Sequence, residues 1–326
     1  MRILVTGGAG YIGSCTVYKL IEKGYDVVII DNLETGHLEA VNPKATFYKG
    51  DIKDIDFLNS VFKKEKIDAV VHFAANSLVG ESMTKPLKYY TNNVQGTKTL
   101  LEALINNHIN KLVFSSTAAV YGEPKRVPIM EDDETKPKNT YGETKLAIEK
   151  MCYWCSQAYD FNYVSLRYFN AAGSIKGIVG EDHNPETHLI PNIFKALAKD
   201  EEVKIFGNDY ETKDGTCVRD YIHVEDLALA HIKALEYLLA GNKSNIFNLG
   251  SSFGYSVNEI VTSVNEVTNK KVKTKYVERR AGDPATLIAS NQKAYDVLKF
   301  KPVKSIKDIV SDAYLWHTNK PNGYSK

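Results

Sequence analysis

Few features of this chain would let it be cross-linked, threaded through a bilayer or laid along a polyanion. It has only four cysteines, Cys15, Cys152, Cys155 and Cys217. Cys152 and Cys155 form a CxxC, but no second CxxC or paired-histidine motif completes a zinc site. The pair also lies in MCYWCSQAY, a helical pattern whose small apolar residues three apart face a core, so neither redox nor metal chemistry is expected of it. Apolar runs such as DVVII at 26–30 fall far short of the roughly 20 residues that a bilayer demands. The formal net charge is only +1, which gives no broad attraction to nucleic acid or to an anionic membrane. Any anionic ligand must therefore be held by locally placed groups. No cationic and apolar leader precedes the first strand, which starts at Arg2 and reaches its glycine turn by Gly7, so the chain reads as cytoplasmic. Internal repeats and low-complexity tracts are also missing.

What remains is the composition of a soluble globular enzyme, 43% hydrophobic and 25% charged over 326 residues, enough for one large or two moderate domains. MRILVTG reads as a short buried strand and a glycine turn, followed by a helix from Tyr11 to Lys23 that Gly24 stops. YDVVIID returns as a second strand. ATFYKGD, IDAVVHFAA, KLVFSST and YVSLRYF are strand-like, and the segments at 54–65, 87–107 and 141–158 between them are helix-like. Pro86 suits a first helical turn, where its missing N–H costs little. Strands separated by helices of that length predict an α/β fold, a doubly wound parallel sheet with right-handed crossovers.

After FNAAG at 169–173 the texture changes. Residues 173–191, GSIKGIVGEDHNPETHLIP, look like an irregular binding loop. A helix near 191–199, a strand near 202–206 and the run RDYIHVEDLALAHIKALEYLL follow. Ser256 and Glu259 form a capping box before another helix. The expected division is a first domain over 1–172 and a smaller α/β substrate domain over 173–326, with part of 216–250 able to return to the first.

GGAGYIG at 7–13 satisfies GxGxxG through Gly8, Gly10 and Gly13, and GxxGxxG through Gly7, Gly10 and Gly13. Alone, such a pattern is weak. Here it follows a strand and opens a helix, the context of a Rossmann dinucleotide site: backbone approaches the pyrophosphate, and the helix N-terminus offers N–H groups to it. Asp31 ends the second strand eighteen residues beyond Gly13. A carboxylate there accepts from a ribose diol and repels a 2′-phosphate, which favours NAD over NADP. Asp51, ending the third strand, could face the adenine by the same logic.

Three tyrosines stand four residues before a lysine, in YGEPK (121–125), YGETK (141–145) and YDVLK (295–299). Residues i and i+4 share a face only in a helix, and Pro124 disfavours one in the first. The third lies far along the chain from the cofactor strands, and its tyrosine reads as packing. Tyr141 begins an unobstructed helix just after KLVFSST, a strand delivering the hydroxyls of Ser115, Ser116 and Thr117 to the end of the sheet where ligands sit. A tyrosine base near neutrality needs about three units of depression, roughly 4 kcal/mol. Burial opposes this, whereas a cation at about 4 Å supplies ~4 kcal/mol at an effective dielectric of 20. Lys145, joined by a positively charged nicotinamide, is expected to lower Tyr141.

GGAGYIG, SSTAAVYG, YGETK, RYFNAAG, GEDHNPETHLIPNI, IFGNDYETKDGTCVRDYIHVEDLA and ERRAGDPA together resemble the UDP-glucose 4-epimerase family, within the extended short-chain dehydrogenases/reductases, from Met1 almost to the C-terminus. That resemblance implies that Tyr141 takes the proton of the sugar 4-hydroxyl while hydride leaves carbon 4 for tightly held NAD. The 4-keto sugar then turns over and is reduced on its opposite face. Lys145 would hold the nicotinamide ribose and Thr117 the 4-oxygen. Tyr11, Ile12, Asp31, Asn32, Asp51, Ile52, Phe73, Ala74, Asn92 and Phe169 match family cofactor positions. Asn170, Leu189, Phe206, Arg219, Arg280 and Asp283 match positions around the uridine diphosphate, and a homodimer through the helices at 87–107 and 141–158 is also implied. Guanidinium forks such as those of Arg219 and Arg280 suit phosphate oxygens, although RDYIHVED and ERRAGD both offer carboxylates for plain surface ion pairs.

No metal is expected. His183 and His188 crowd one loop with Asp182 and Glu186, but their spacing matches no metal-binding helix motif, hydride transfer needs none, and the segment reads as a substrate loop. A nucleotide-sugar 4,6-dehydratase, the nearest rival, needs an acid and a base beside the sugar, and dehydratases of this family carry Asp and Glu directly after the active-site Thr. Thr117 is followed here by Ala118 and Ala119, whose methyl groups shuttle no proton. A catalytically silent NAD-sensing module would need no Tyr–Lys pair. Ser77 stands where some relatives carry a lysine near the nicotinamide, and Leu287 aligns with a position whose bulk gates N-acetylated sugars.

Overall fold

The computed structural model describes residues 1–280 and 283–324; Ala281 and Gly282 of the ERRAGDPA motif lie outside the described residues. Strands β1 (Arg2–Thr6), β2 (Asp26–Asp31), β3 (Thr46–Lys49), β4 (Ala69–His72), β5 (Lys111–Ser115) and β6 (Asn162–Tyr168) alternate with helices. Those helices are α1 (Tyr11–Glu22), α2 (Ile55–Lys64), α3 (Val79–Thr84), α4 (Pro86–Tyr89), α5 (Gly96–Asn106) and α6 (Thr140–Ala158). Beyond them run β7 (Asn170–Ala172), β8 (Ser174–Ile175), β9 (Val179–Gly180), α7 (Leu189–Lys199), β10 (Glu202–Phe206), β11 (Val218–His223) and α8 (Val224–Leu239). The chain closes with β12 (Asn245–Leu249), β13 (Gly254–Ser256), α9 (Val257–Thr268), β14 (Lys273–Val277), β15 (Thr286–Leu287), α10 (Gln292–Leu298) and α11 (Ile306–Asn319).

The main sheet has the order β12-β6-β5-β4-β1-β2-β3, with every neighbouring pair parallel. Its strands are short β-branched runs, and their period of two divides them between two cores. Ile3, Val5, Val27 and Ile29 face a layer built with Val17 and Leu20 of α1 and Leu227 and Leu235 of α8. Leu4, Val28, Ile30 and Val70 face the opposite layer, with Leu58 of α2, Leu100 and Leu104 of α5, and Ile148 and Cys152 of α6. Burial on both faces explains why these strands read as continuous apolar runs. The strand order reverses between β1 and β4, so a crevice opens at their carboxyl ends. Two late segments join this layer: α8 packs on α1, and β12 hydrogen-bonds to β6.

A second lobe pairs β10 with β14 and gathers β7, β13 and β15 around β11. Its core holds Ile190, Ile193 and Phe194 of α7, Ile260 and Val264 of α9, and Ile309 and Val310 of α11. The capping box read from the sequence is present, with Ser256 and Glu259 serving each other across the first turn of α9. The helix expected as one run over 87–107 is instead α4 and α5 joined by a wide π-turn at Tyr90–Gln95. Buried Asn93 in that turn exchanges hydrogen bonds with Asn76 (2.8 and 3.0 Å) and donates to Thr144 Oγ1 at 3.1 Å, which ties the turn to the end of β4 and to α6. Among the described residues no helix is long and apolar enough to cross a membrane.

Candidate active site

The glycine turn between β1 and α1 is fixed by close backbone approach. Gly7 has φ 73°, and a Cβ there would stand 2.6 Å from Ala74 N. One on Gly13 would stand 2.1 Å from the Gly7 carbonyl oxygen. Gly10 caps α1 with no side-chain hydrogen bond and no acidic residue in the first turn, so the N–H groups of Tyr11, Ile12 and Gly13 face the crevice without a competing anion. Asp31, buried at the end of β2, accepts from Ala9 N (3.0 Å) and Leu33 N (2.8 Å). Burial pushes its carboxyl up and those two N–H groups pull it back. Asn32 donates to Asp51 at 3.1 Å, and Asp51 also accepts from Lys53 N at 2.8 Å. Ile52 is buried beside Gly96, Phe73 and Ala74 lead out of β4, and Asn92 lines a groove with Glu34, Lys53 and Lys88. A narrow glycine cradle, a bare helix N-terminus and a strand-end carboxylate fit a dinucleotide.

At the neighbouring strand end, α6 starts on Asn139, whose side chain accepts from Gly142 N at 2.8 Å. Tyr141 and Lys145 are both buried on one face of this helix, with Lys145 Nζ 5.9 Å from the Tyr141 ring centroid. The lysine donates to the Ser115 carbonyl at 2.7 Å, which pins the end of β5, and Thr117 follows two residues later. Burial pushes the Tyr141 phenol above its ordinary value; neighbouring Tyr168 and Tyr89 add to this, and hydrogen bonding with Thr117 opposes it. Burial also pushes the Lys145 ammonium down to about 7, with Glu149 acting the other way. The expected lowering of Tyr141 by Lys145 is not seen in the protein alone: burial dominates at the phenol, and the lysine hydrogen-bonds to a backbone carbonyl instead. The other two Tyr–Lys pairs lie elsewhere. Tyr121 follows a 3₁₀ turn at Ala118–Val120, and Tyr295, read as a packing residue, is instead 51% exposed on α10.

One constellation escaped the sequence reading. Glu149, one turn beyond Lys145, accepts from Ser116 Oγ (2.5 Å) and from Arg167 Nε and Nη2 (3.0 and 2.7 Å). Arg167 Nη1 donates to Tyr121 Oη at 2.9 Å, and Tyr121 donates to Asn248 at 2.6 Å. Through Ser116 the network holds the residue next to Thr117. A charged residue, Arg167, near the end of a buried strand was the available signal, because such a charge demands a partner.

Across the crevice, Arg219 on β11 donates to the Val218 and Pro284 carbonyls (2.9 and 2.8 Å) and stands 3.8 Å from Asp283. Arg280 lies over the Phe206 ring at 4.0 Å and makes no ion pair among the described residues. The surface-pair alternative thus applies loosely to Arg219 and finds no partner for Arg280. Asn170 lies in β7 opposite Tyr221 of β11, and Leu189 opens α7. Leu287 faces Arg219 in the β11–β15 register and packs with Phe169 against Val120, Tyr121, Ile129 and Leu146, the neighbour of Lys145. The two groups that the sequence singled out, around Tyr141 and around Arg219, are joined by this small apolar cluster.

The model of the NAD dependent epimerase/dehydratase family matches residues 3–250. A UDP-glucose 4-epimerase of Lacticaseibacillus casei is 55% identical over 327 residues, covering 99% of each chain. A crystal structure of a UDP-glucose 4-epimerase is similar at 53% identity with a TM-score of 0.98 over 100% of both chains. Another, from Bifidobacterium longum in complex with NAD+ and UDP, is 36% identical with a TM-score of 0.93, covering 99% of this chain and 100% of that one.

Proposed function

Because this chain belongs to the NAD dependent epimerase/dehydratase family, we propose that it is an NAD-dependent 4-epimerase interconverting UDP-glucose and UDP-galactose through a transient 4-keto sugar. The observation carrying this reading is the buried Tyr141–Lys145 face of α6, set beside Thr117 at the end of β5, with only β4 between that strand and the β1 of the glycine cradle. Tyr141 takes the proton of the sugar 4-hydroxyl and later returns it, with the Thr117 hydroxyl hydrogen-bonded to the same oxygen. NAD, when bound, would supply the acceptor and donor for the hydride of carbon 4, and its nicotinamide charge would add to that of Lys145 beside the phenol. Lys145 holds the nicotinamide ribose, Asp31 the adenosine ribose, and the N-terminus of α1 the pyrophosphate. Gly7, Gly10, Tyr11, Ile12, Gly13, Asn32, Asp51, Ile52, Phe73, Ala74, Asn92 and Phe169 complete the cofactor site.

A sugar that must turn over cannot be gripped tightly, so affinity resides in the nucleotide. Arg219 and Arg280 take its phosphates, and Asn170, Leu189, Phe206 and Asp283 surround it. Two copies associate through α5 and α6, where Leu101, Ile105, Met151 and a 66% exposed Trp154 line one apolar groove. Light scattering should give twice the chain mass and half of that for Trp154→Glu; a monomeric wild type refutes the interface. Use of NAD and a UDP-sugar supports a cytoplasmic location. The function is tested by incubating the purified protein with UDP-galactose and no added NAD. Appearance of UDP-glucose supports it. A sample loaded with NAD that converts no UDP-sugar overturns it.

A further inference from the structure

Residues 181–188 bring four side chains with metal-ligating atoms together outside the site described above: Glu181, His183, Glu186 and His188, whose donor atoms all lie within 4.8 Å of one another. His183 Nδ1 stands 3.3 Å from Glu181 Oε1 and 3.6 Å from Glu186 Oε1, and His188 Nδ1 is hydrogen-bonded to Glu181 Oε1. Both glutamate side chains are only 4% exposed. The Glu186 carboxylate is oriented by its backbone: Oε1 accepts from Thr187 N (2.9 Å) and His188 N (3.0 Å). Its other oxygen, Oε2, is buried without a hydrogen-bond partner, and Lys195 Nζ stands 3.8 Å away; His183 Nδ1 also lacks a partner of hydrogen-bond geometry. Two buried carboxylates, one largely buried imidazole and the half-exposed His188 ring thus converge, with His183 Nδ1 and Glu186 Oε2 left unmatched, a donor set suited to a cation.

We propose that Glu181, His183, Glu186 and His188 form a structural site for one divalent transition-metal cation of the zinc class. Two nitrogens and two carboxylate oxygens suit a borderline cation in tetrahedral geometry, whereas calcium and magnesium prefer all-oxygen shells. Ligand bonds of about 2.0–2.1 Å set tetrahedral donors roughly 3.3 Å apart, close to the 3.3 and 3.6 Å separations already present. All four positions are filled by protein, as in structural rather than catalytic zinc sites. The surroundings are built to hold the loop: Trp316 Nε1 donates to the Glu181 carbonyl at 3.0 Å, Tyr324 N to Asp182 at 2.9 Å, and the Tyr11 ring packs edge-on to His183. The cation would thus fasten the loop between Tyr11, at the start of α1, and Leu189, at the start of α7.

The test uses the full chain without an affinity tag. It is stripped with a chelator, re-equilibrated with buffered Zn2+, freed of excess metal and analysed for zinc content. One zinc per chain is expected. His183→Ala and Glu186→Gln should each weaken zinc uptake at least about a hundredfold, at or beyond the cost of losing an outer-shell partner. His223→Ala, in the separate group of His223, Glu225 and Asp312, should keep the zinc. Because a ligand variant can fail to fold, zinc-edge X-ray absorption on the wild type supplies a second reading: two imidazoles and no sulfur. Absence of zinc uptake, retention of zinc in both loop variants, its loss in His223→Ala, or a sulfur shell from the cysteines would each overturn the proposal. In the first case the cluster is an ion-paired histidine–glutamate group only. None of these readouts depends on epimerase activity, so a failure here is distinguishable from a failure of the proposed reaction.

Discussion

Removing the charge of Glu149 should damage this protein in two separable ways. Glu149 and Arg167 are only 4% and 5% exposed and are joined by hydrogen bonds at 2.7 and 3.0 Å. Glu149→Gln keeps the shape but leaves the Arg167 guanidinium buried without a counter-charge. Breaking a buried pair on one side costs about 3–5 kcal/mol. With about 2.1 cal/mol/K of unfolding entropy per residue, a 326-residue chain moves by roughly 1.5 °C per kcal/mol, so the midpoint should fall by about 4–7 °C. The double variant Glu149→Met/Arg167→Met should regain at least about half of that, because both charges are then gone. Kinetics give the second readout. Glu149 is the one charge opposing the burial that pushes Lys145 down to about 7. Without it the Lys145 pKa falls further, the ammonium is lost at lower pH, and the alkaline limb of kcat moves downward in pH. Thermal unfolding and a pH–rate profile on the same variant check both. A midpoint within about 1 °C of wild type, with an unmoved alkaline limb, would refute the reasoning.

Three further outcomes are expected. Asp31→Ala, measured by cofactor binding, should weaken NAD by about ten- to a hundredfold while relieving the repulsion of NADP, since hydrogen bonds to a charged group are worth about 1.5–3 kcal/mol; unchanged preference counts against its ribose contact. Loading with NAD should lower the pKa of Tyr141, because a cation at about 4 Å supplies roughly 3 pH units at an effective dielectric of 20; ultraviolet difference titration against Tyr141→Phe reads this, and equal values with and without cofactor would exclude it. Leu287→Tyr, adding a phenol ring beside Phe169, should reduce turnover of UDP-N-acetylglucosamine relative to UDP-glucose at least about tenfold, and unchanged discrimination would remove Leu287 as a gate.

The strands and crossovers were legible because burial on both faces leaves apolar runs that need no long-range information. The glycine cradle was legible because close approach at Gly7 and Gly13 admits no side chain. Tyr141 stood out only by combining helical spacing with the strand that delivers Thr117. The π-turn at Tyr90–Gln95 was hidden because it depends on Asn93 reaching Asn76 and Thr144, 17 and 51 residues away. The Glu149–Arg167–Tyr121–Asn248 network was hidden for the same reason, as it draws on four distant segments. Glu149 could still have been suspected, because Tyr141, Lys145 and Glu149 follow one another at i+4 along a single helix face. The convergence of Glu181, His183, Glu186 and His188 was not legible, since a loop carries no periodic rule to say which side chains meet.

The account rests on one phenolic oxygen exchanging a proton with the sugar 4-hydroxyl, and the turnover of NAD-loaded Tyr141→Phe tests it most directly. A drop of at least about a hundredfold in kcat, with UDP affinity changed less than about threefold, is the predicted result. Turnover close to wild type in that variant would contradict it.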